Sequence, residues 1–470
     1  MQLQTRARRS LPGRNASNGA VRADNLLSFM DQAMFRTLRA LDRNAIVQCV
    51  WVYEHPVNVE GLRRFHHDLG CGLLGRRIER SPLPFARDRW VRDRWPAGID
   101  MAESARPRAE LSDWLDERAQ LPVDPERGPG WHLGVLPLTD GSTAVTLVAS
   151  HCLIDGLGIG NAVAEAAGGH TRELGYPPPS SRTRPRALAQ DARQTIRDVP
   201  AAVRAAVAAA KMARDPTQGA ARTRPPQPTA ARKADSDERV VVPAISIHID
   251  KDEWDARARA LGGSSHHLVA GLAAKLGERL GRRRAGDGAV VLQIPLSDRA
   301  ENDTRANTLS YVSIDVDPAG VTTDLSATRA AVRRTFETLR EAPERASPML
   351  PLAPLVPFTP KGVLKRVTEA AFAYDDLPVA NSSMGDIAPI AARPDGTEAE
   401  CVFGRGGIQG VKRHDLERAG GELALWCLRI GGKMCITVAA YRPGKNNSKP
   451  ELRDLAAHTL AEFDLSGVIE

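Results

Sequence analysis

Residues Ala144 to Ala167 read AVTLVASHCLIDGLGIGNAVAEAA, and the character of the chain changes twice within them. The first six positions have the β-branched and aliphatic composition of a buried strand. Ser150-His151-Cys152-Leu153-Ile154-Asp155-Gly156 follows as a turn, and the Gly-rich start of a helix comes after it. His151 therefore falls at the end of a strand, where a rigid sheet holds the backbone and the side chain can project into a cleft. A neutral imidazole near pH 7 is suited to take a proton from an attacking nucleophile. Gly156 lets the chain turn tightly into the helix at a point where a side chain would clash.

Outward from this stretch, residues 131–138 and 143–149 read as strands joined by the turn-forming Asp140-Gly141. Upstream, 45–54 (AIVQCVWVYE) has the composition of a buried strand, and Val59, Leu62, Phe65 and Leu69 share one face of a helix. Downstream of Gly169 the chain turns to Pro, Arg, Ser and Ala, which cannot build a core. Residues 171–237 are expected to be a linker, with a surface helix at 201–212 where alanine dominates. A second unit follows, with strands at 239–249 and 288–296 and a helix at 265–280. LALWCLRI (423–430) and MCITVAAY (434–441), separated by Gly431-Gly432-Lys433, form a hairpin signal. The reading is a mixed α/β chain with a disordered tail at 1–20 and two units, 21–170 and 238–470. A length of 470 residues exceeds what one hydrophobic core usually serves.

Composition excludes several classes. Apolar residues make up 42% of the chain, but no run reaches the roughly 18 to 20 residues that a membrane-spanning helix requires. The arginines before Asn15 have no apolar segment behind them, so they do not read as a secretory signal. Six cysteines, without paired ligand spacing, fit reduced thiols and a cytoplasmic location, with no metal site. The net charge of +7 comes largely from arginines in the tail and the linker, and no nucleic-acid module surrounds them.

Ser150-His151-x-x-x-Asp155-Gly156 resembles the His-His-x-x-x-Asp-Gly signature of one superfamily. Its members include nonribosomal peptide condensation domains, chloramphenicol acetyltransferase-like enzymes and wax ester synthase/diacylglycerol acyltransferases. This chain matches at His151, Asp155 and Gly156 and has Ser150 at the first histidine. The resemblance extends to Leu26 to Asp31 and to Ile294-Pro295-Leu296-Ser297-Asp298-Arg299, and the latter is similar to the Pro-x-Ser-x-Arg segment of the wax ester synthase branch. Asn307 resembles the asparagine of that branch's Gly-Asn, with Ala306 at the glycine position. The resemblance implies two chloramphenicol acetyltransferase-like subdomains with a channel between them, and His151 as general base. It also implies a structural role for Asp155, paired with an arginine for which Arg299 is the candidate. Ser150 and Asn307 are possible site-lining residues.

The activity implied is transfer of an acyl group from a coenzyme A or carrier-protein thioester to an acceptor hydroxyl, with no permanently bound cofactor. Partners would be the thioester donor, an alcohol or amine acceptor and a possible carrier protein. Two alternatives stay open: amide formation by a free-standing condensation enzyme, and a non-catalytic scaffold that keeps the fold. Ser347 to Val363 (SPMLPLAPLVPFTPKGV) is a candidate for an acyl tunnel or for peripheral membrane contact, or else a packed apolar loop. Of the other constellations, His66-His67 and His266-His267 lie in helices, where neighbours point about 100° apart and make poor pairs. In the wax ester synthase branch, Asn-Asp would stand at the second pair. Cys152 points to the opposite side of an extended chain from His151, which makes it a poor nucleophile.

Overall fold

The computed structural model describes residues 25–93, 97–172, 174–214, 238–300, 302–341, 350–371 and 377–470; the expected tail at 1–20 lies outside them. Helix α1 (Phe29–Leu41), capped by the Ser28 side chain, leads into strand β1 (Asn44–Tyr53). Then come α2 (Val59–Cys71), β2 (Arg76–Glu79), β3 (Arg89–Arg92), β4 (Ile99–Met101) and α3 (Leu111–Gln120). Strands β5 (Trp131–Pro137) and β6 (Thr143–Ser150) form a hairpin, and the motif turn joins β6 to α4 (Gly156–Ala167). The long α5 (Arg184–Arg214) follows. The second half supplies β7 (Ala244–Asp250), β8 (Val290–Ser297), β9 (Leu309–Val316), β10 (Val379–Asp386) and β11 (Cys401–Gln409). It ends with β12 (Glu422–Ile430), β13 (Lys433–Tyr441) and β14 (Val468–Ile469).

The strands make two large mixed sheets. One has the order β11-β1-β6-β5-β4, the other β14-β7-β13-β12-β10-β8-β9, and β2 and β3 pair separately. All eight residues of β6 are buried because it lies inside its sheet between β1 and β5, which explains its nearly unbroken apolar run. The β12–β13 hairpin turns on Gly431 and Gly432, both at positive φ (55° and 74°), the conformation a tight two-residue turn needs. Helices Lys251–Ala260, Ser265–Arg279 and Lys449–Glu462 pack on the second sheet. Each sheet has its own core: Trp51, Phe65 and Trp131 belong to the first, Trp254, Ile436 and Phe463 to the second.

The chain crosses between the two sheets once in an informative way. Strand β11 pairs antiparallel along β1, from Asn44 opposite Gln409 to Val52 opposite Cys401. Ala391, Ala392 and Phe403 accordingly join the first core. Within the stretch expected as a linker, 171–237, α5 is one helix of 31 residues that extends well beyond the surface helix expected at 201–212. Its Asp191 pairs with Arg89 and Arg182, and its Asp198 with Arg87. Small Ala187 and Ala205 complete its buried face. A composition poor in large apolar residues concealed a helix docked by ion pairs and alanines. Residues 215–237 lie outside the described ones.

Two smaller corrections concern Val59, which is exposed while Leu62, Phe65 and Leu69 are buried, and β7, which starts at Ala244 rather than at 239. Pro243, with no N–H to give to a ladder, precedes it. Within the Pro- and Leu-rich stretch, Leu350–Phe358 forms a 3-10 helix against α1 and α5, with Ala353 and Pro357 buried. No described helix is long and apolar enough to cross a membrane.

Candidate active site

The turn after β6 is held by backbone bonds before any side chain acts. The Ser150 N–H donates to Gly130 O (2.9 Å), His151 N–H to Ala45 O (2.8 Å) and Leu153 N–H to Ser150 O (2.9 Å). His151 is thereby presented half-buried at the C-terminal end of the central strand β6.

Asp155 closes the turn as the N-cap of α4. Its Oδ1 accepts from the Gly158 N–H at 2.8 Å, which satisfies one of the donors a helix start leaves free. Its Oδ2 accepts from the Thr308 N–H (3.1 Å) and hydroxyl (3.3 Å) and lies 2.8 Å from Arg299 Nη2. Arg299 also donates to the carbonyls of Ala306 (3.0 Å) and Arg305 (3.1 Å). Both partners are buried, so this pair ties the motif turn to the segment that precedes β9.

Asn307, in that segment, is buried and faces His151. Its Nδ2 donates to His151 O (3.1 Å) and points at Asp31 Oδ1 (3.4 Å), and its Oδ1 lies 2.9 Å from His151 Nδ1. The two acceptors fix the amide orientation, so the atom facing the imidazole is an oxygen. An oxygen can only accept, so Nδ1 is the donor of this contact, and in a neutral imidazole the lone pair is then on Nε2.

Asp31, in the first turn of α1, lies behind Asn307. It accepts from the Asn307 N–H (2.8 Å) and the Ala306 N–H (3.2 Å). Burial pushes its carboxyl above the ordinary carboxylate value, opposed in part by the charge of Arg76 and by these N–H donors. Arg76 is itself fully buried. It donates to Leu153 O (2.8 Å), to the Tyr176 hydroxyl (3.1 Å) and to Thr304 O, and its guanidinium stacks 4.0 Å from the Trp90 ring centre. One side chain thus grips both the motif turn and the segment carrying Asn307.

His151, Asp155, Arg299 and Asn307 meet in one hydrogen-bonded cluster. Ser150 is buried, and its hydroxyl accepts from the Cys152 N–H (3.3 Å) as a local turn contact. Gly156 opens α4 with its Cα facing Met384 of β10. Sequence reasoning missed Arg76 and Thr308, and noticed Asp31 only as the last residue of a similar segment.

The competing constellations lie apart from this cluster. Cys152 is buried in the first core, and burial pushes its thiol up to about 12, which suits packing rather than nucleophilic attack. His66 Nε2 contacts Ala97 O and its ring packs on Trp131, while His67 is exposed. His267 Nδ1 accepts from the Ser264 N–H as part of a capping box, a structural use of that histidine. Among the described residues, no group of three or more His, Cys, Asp or Glu is arranged to hold a metal ion.

No protein-family model and no curated protein matches the chain. Solved structures do, at low identity. A wax ester synthase/diacylglycerol acyltransferase from Marinobacter aquaeolei VT8 is 14% identical, with TM-score 0.54, over 93% of this chain and 98% of that one. The first condensation domain of the calcium-dependent antibiotic synthetase, in complex with a substrate analogue, is 12% identical with TM-score 0.56 over 94% of this chain and 100% of that one. The nonribosomal peptide synthetase FmoA3 aligns over 96% of this chain at 16% identity and TM-score 0.52, but the match spans only 46% of that longer protein. The chain therefore has the condensation-domain type of fold, with two chloramphenicol acetyltransferase-like lobes.

Proposed function

We propose that the chain is an acyltransferase moving an acyl group from a coenzyme A or carrier-protein thioester to an acceptor hydroxyl. The observation that carries this reading is the contact of Asn307 Oδ1 with His151 Nδ1 at 2.9 Å: Oδ1 accepts a hydrogen bond from Nδ1–H, and Nε2 of the neutral imidazole is the base. In the proposed step Nε2 removes the acceptor's proton as its oxygen bonds to the thioester carbonyl. The tetrahedral oxyanion then collapses, the C–S bond breaks, and the departing sulfur receives that proton. Buried, high-pKa Cys152 offers no competing nucleophile in this scheme, so donor and acceptor must be bound together, in a channel between the lobes.

The test is kinetic. Initial-rate lines for thiol release at several alcohol concentrations should intersect, and His151→Ala should lower turnover by about 10² to 10⁴ while the protein stays folded. A folded His151→Ala variant with wild-type turnover defeats the proposal, as do parallel lines with a trapped acyl-protein. Transfer to amines alone across a panel of acceptors would replace ester formation with amide formation. Absence of thiol release with every acceptor would leave a scaffold. A cytoplasmic place in lipid or natural-product biosynthesis goes with the same proposal.

A further inference from the structure

Helix α5 carries three distinct faces when its residues are set at 100° intervals. The inner one, with Ala187, Asp191, Asp198 and Ala205, is buried against the protein. Asp191 and Asp198 are the only acids of the helix, and arginines from elsewhere in the fold neutralise both. The next face presents Ile196, Val199, Val203 and Val207 at three- and four-residue steps, and all four are exposed, Ile196 at 70% and Val203 at 56%. The third is a ridge of Arg193, Arg197, Arg204 and Lys211, exposed and without an ion pair among the described residues.

Four branched aliphatic side chains in one line gain nothing from water. With Leu188, also exposed, the stripe runs roughly 28 Å along the helix axis. Beside it lies positive charge, and the helix itself carries no outward-facing acid to balance it. This combination suits a helix lying in the plane of a lipid surface, with its aliphatic side chains at the headgroup–acyl boundary and its cations against anionic headgroups. A second copy fits poorly, because two like-charged ridges would be brought together. We propose that α5 docks the protein on anionic lipid bilayers through the Ile196–Val199–Val203–Val207 stripe and the flanking Arg193–Lys211 ridge. The proposal is independent of the acyl-transfer reading.

Flotation of the full chain with vesicles tests it, using phosphatidylcholine alone and phosphatidylcholine mixed with phosphatidylglycerol. The wild type should bind the mixed vesicles, leave them as salt rises, and ignore phosphatidylcholine. Arg197→Glu combined with Arg204→Glu, and separately Ile196→Gln combined with Val203→Gln, should each reduce the partition coefficient by more than about tenfold. All of these side chains are exposed, and circular dichroism should show the fold unchanged. Four results overturn the proposal. One is failure to bind either vesicle, which would leave the stripe to a protein partner. Another is equal binding by wild type and both double variants. A lipid-free dimer dissolved by Ile196→Gln with Val203→Gln would make a second copy the occupant. Binding that appears only after residues 215–237 are deleted would make that segment the occupant.

Discussion

Asp31 and Asp155 are both buried around the His151 turn, and they are satisfied in different ways. Asp155 has a cation in contact, Arg299 at 2.8 Å, in addition to donors from Gly158 and Thr308. Asp31 is held by backbone N–H groups and the Asn307 amide, and its carboxyl is pushed up by burial. The first arrangement locks two chain segments together. The second aims one neutral side chain, Asn307, at the imidazole. Loss of Asp155 should therefore be felt mainly in stability, and loss of Asp31 mainly in rate.

The largest expected effect belongs to the ion pair. Removing either partner strands a buried charge, at a cost of roughly 3 to 5 kcal/mol. Asp155→Ala and Arg299→Ala should each lower the denaturation midpoint. The double variant should lose far less than the sum of the two, because it removes the stranded charge as well. Additive losses in that double-mutant cycle would separate the two residues and end the contrast with Asp31.

At Asp31 the expected effect is kinetic and smaller. Asp31→Asn keeps an acceptor for one N–H and loses the other, which loosens Asn307. The turnover number should fall about 10- to 100-fold, in line with modest misplacement of a reacting group, with KM little changed. A pH signature accompanies it. The folded-state pKa of Asp31 is raised above the ordinary carboxylate value, so between those two values the native state binds more protons than the unfolded chain. The contribution of this group to stability is greatest at low pH and is lost as pH rises through the folded value. Asp31→Asn should remove that slope and leave the rest of the stability–pH curve in place. An unaltered curve with unaltered turnover would make Asp31 a bystander.

The difference between the two carboxylates also marks how far the sequence could be read. His151 and Asp155 stand in a local motif, and a strand-turn-helix is written in consecutive residues. The β5–β6 and β12–β13 hairpins are legible for the same reason. Arg76 is not, since nothing distinguishes it from Arg77 until the pleat turns one inward and the other outward. Asp31 meets Asn307 across 276 positions, a contact that no periodicity reports. Strand β11 is hidden twice over. Its three glycines lower its strand propensity, and its partner β1 lies in the other half of the chain. The docking of helix α5 is not legible in the sequence because an inner face made of alanines and paired aspartates lacks the apolar mark by which docked helices are recognised.

The smallest effect concerns the glycines at the start of α4, and it sharpens the account of Asp155 as a structural clamp. Gly156 is the motif glycine, yet a Cβ there would meet only the Met384 sulfur at 3.3 Å and its Cγ at 3.8 Å, atoms of a flexible side chain that can shift. A Cβ at Gly158 would lie 2.8 Å from Ile154 Cγ1, 3.0 Å from Asp155 Oδ1 and 3.3 Å from Arg299 Cζ. Ile154 is fully buried, and Asp155 and Arg299 are buried and paired with each other, so the site cannot yield without disturbing the ion pair. Gly158→Ala should therefore destabilise by about 1 kcal/mol or somewhat more, the usual cost of overpacking, even though alanine is the better helix former. Gly156→Ala should change stability by less than about 0.5 kcal/mol, because the gain in helix propensity offsets a soft contact. Both values come from denaturant titration of the purified variants. If Gly156→Ala proves the more damaging of the two, the tight point of the turn lies at the β10 contact, and the clamp does not set the packing limit at the start of α4.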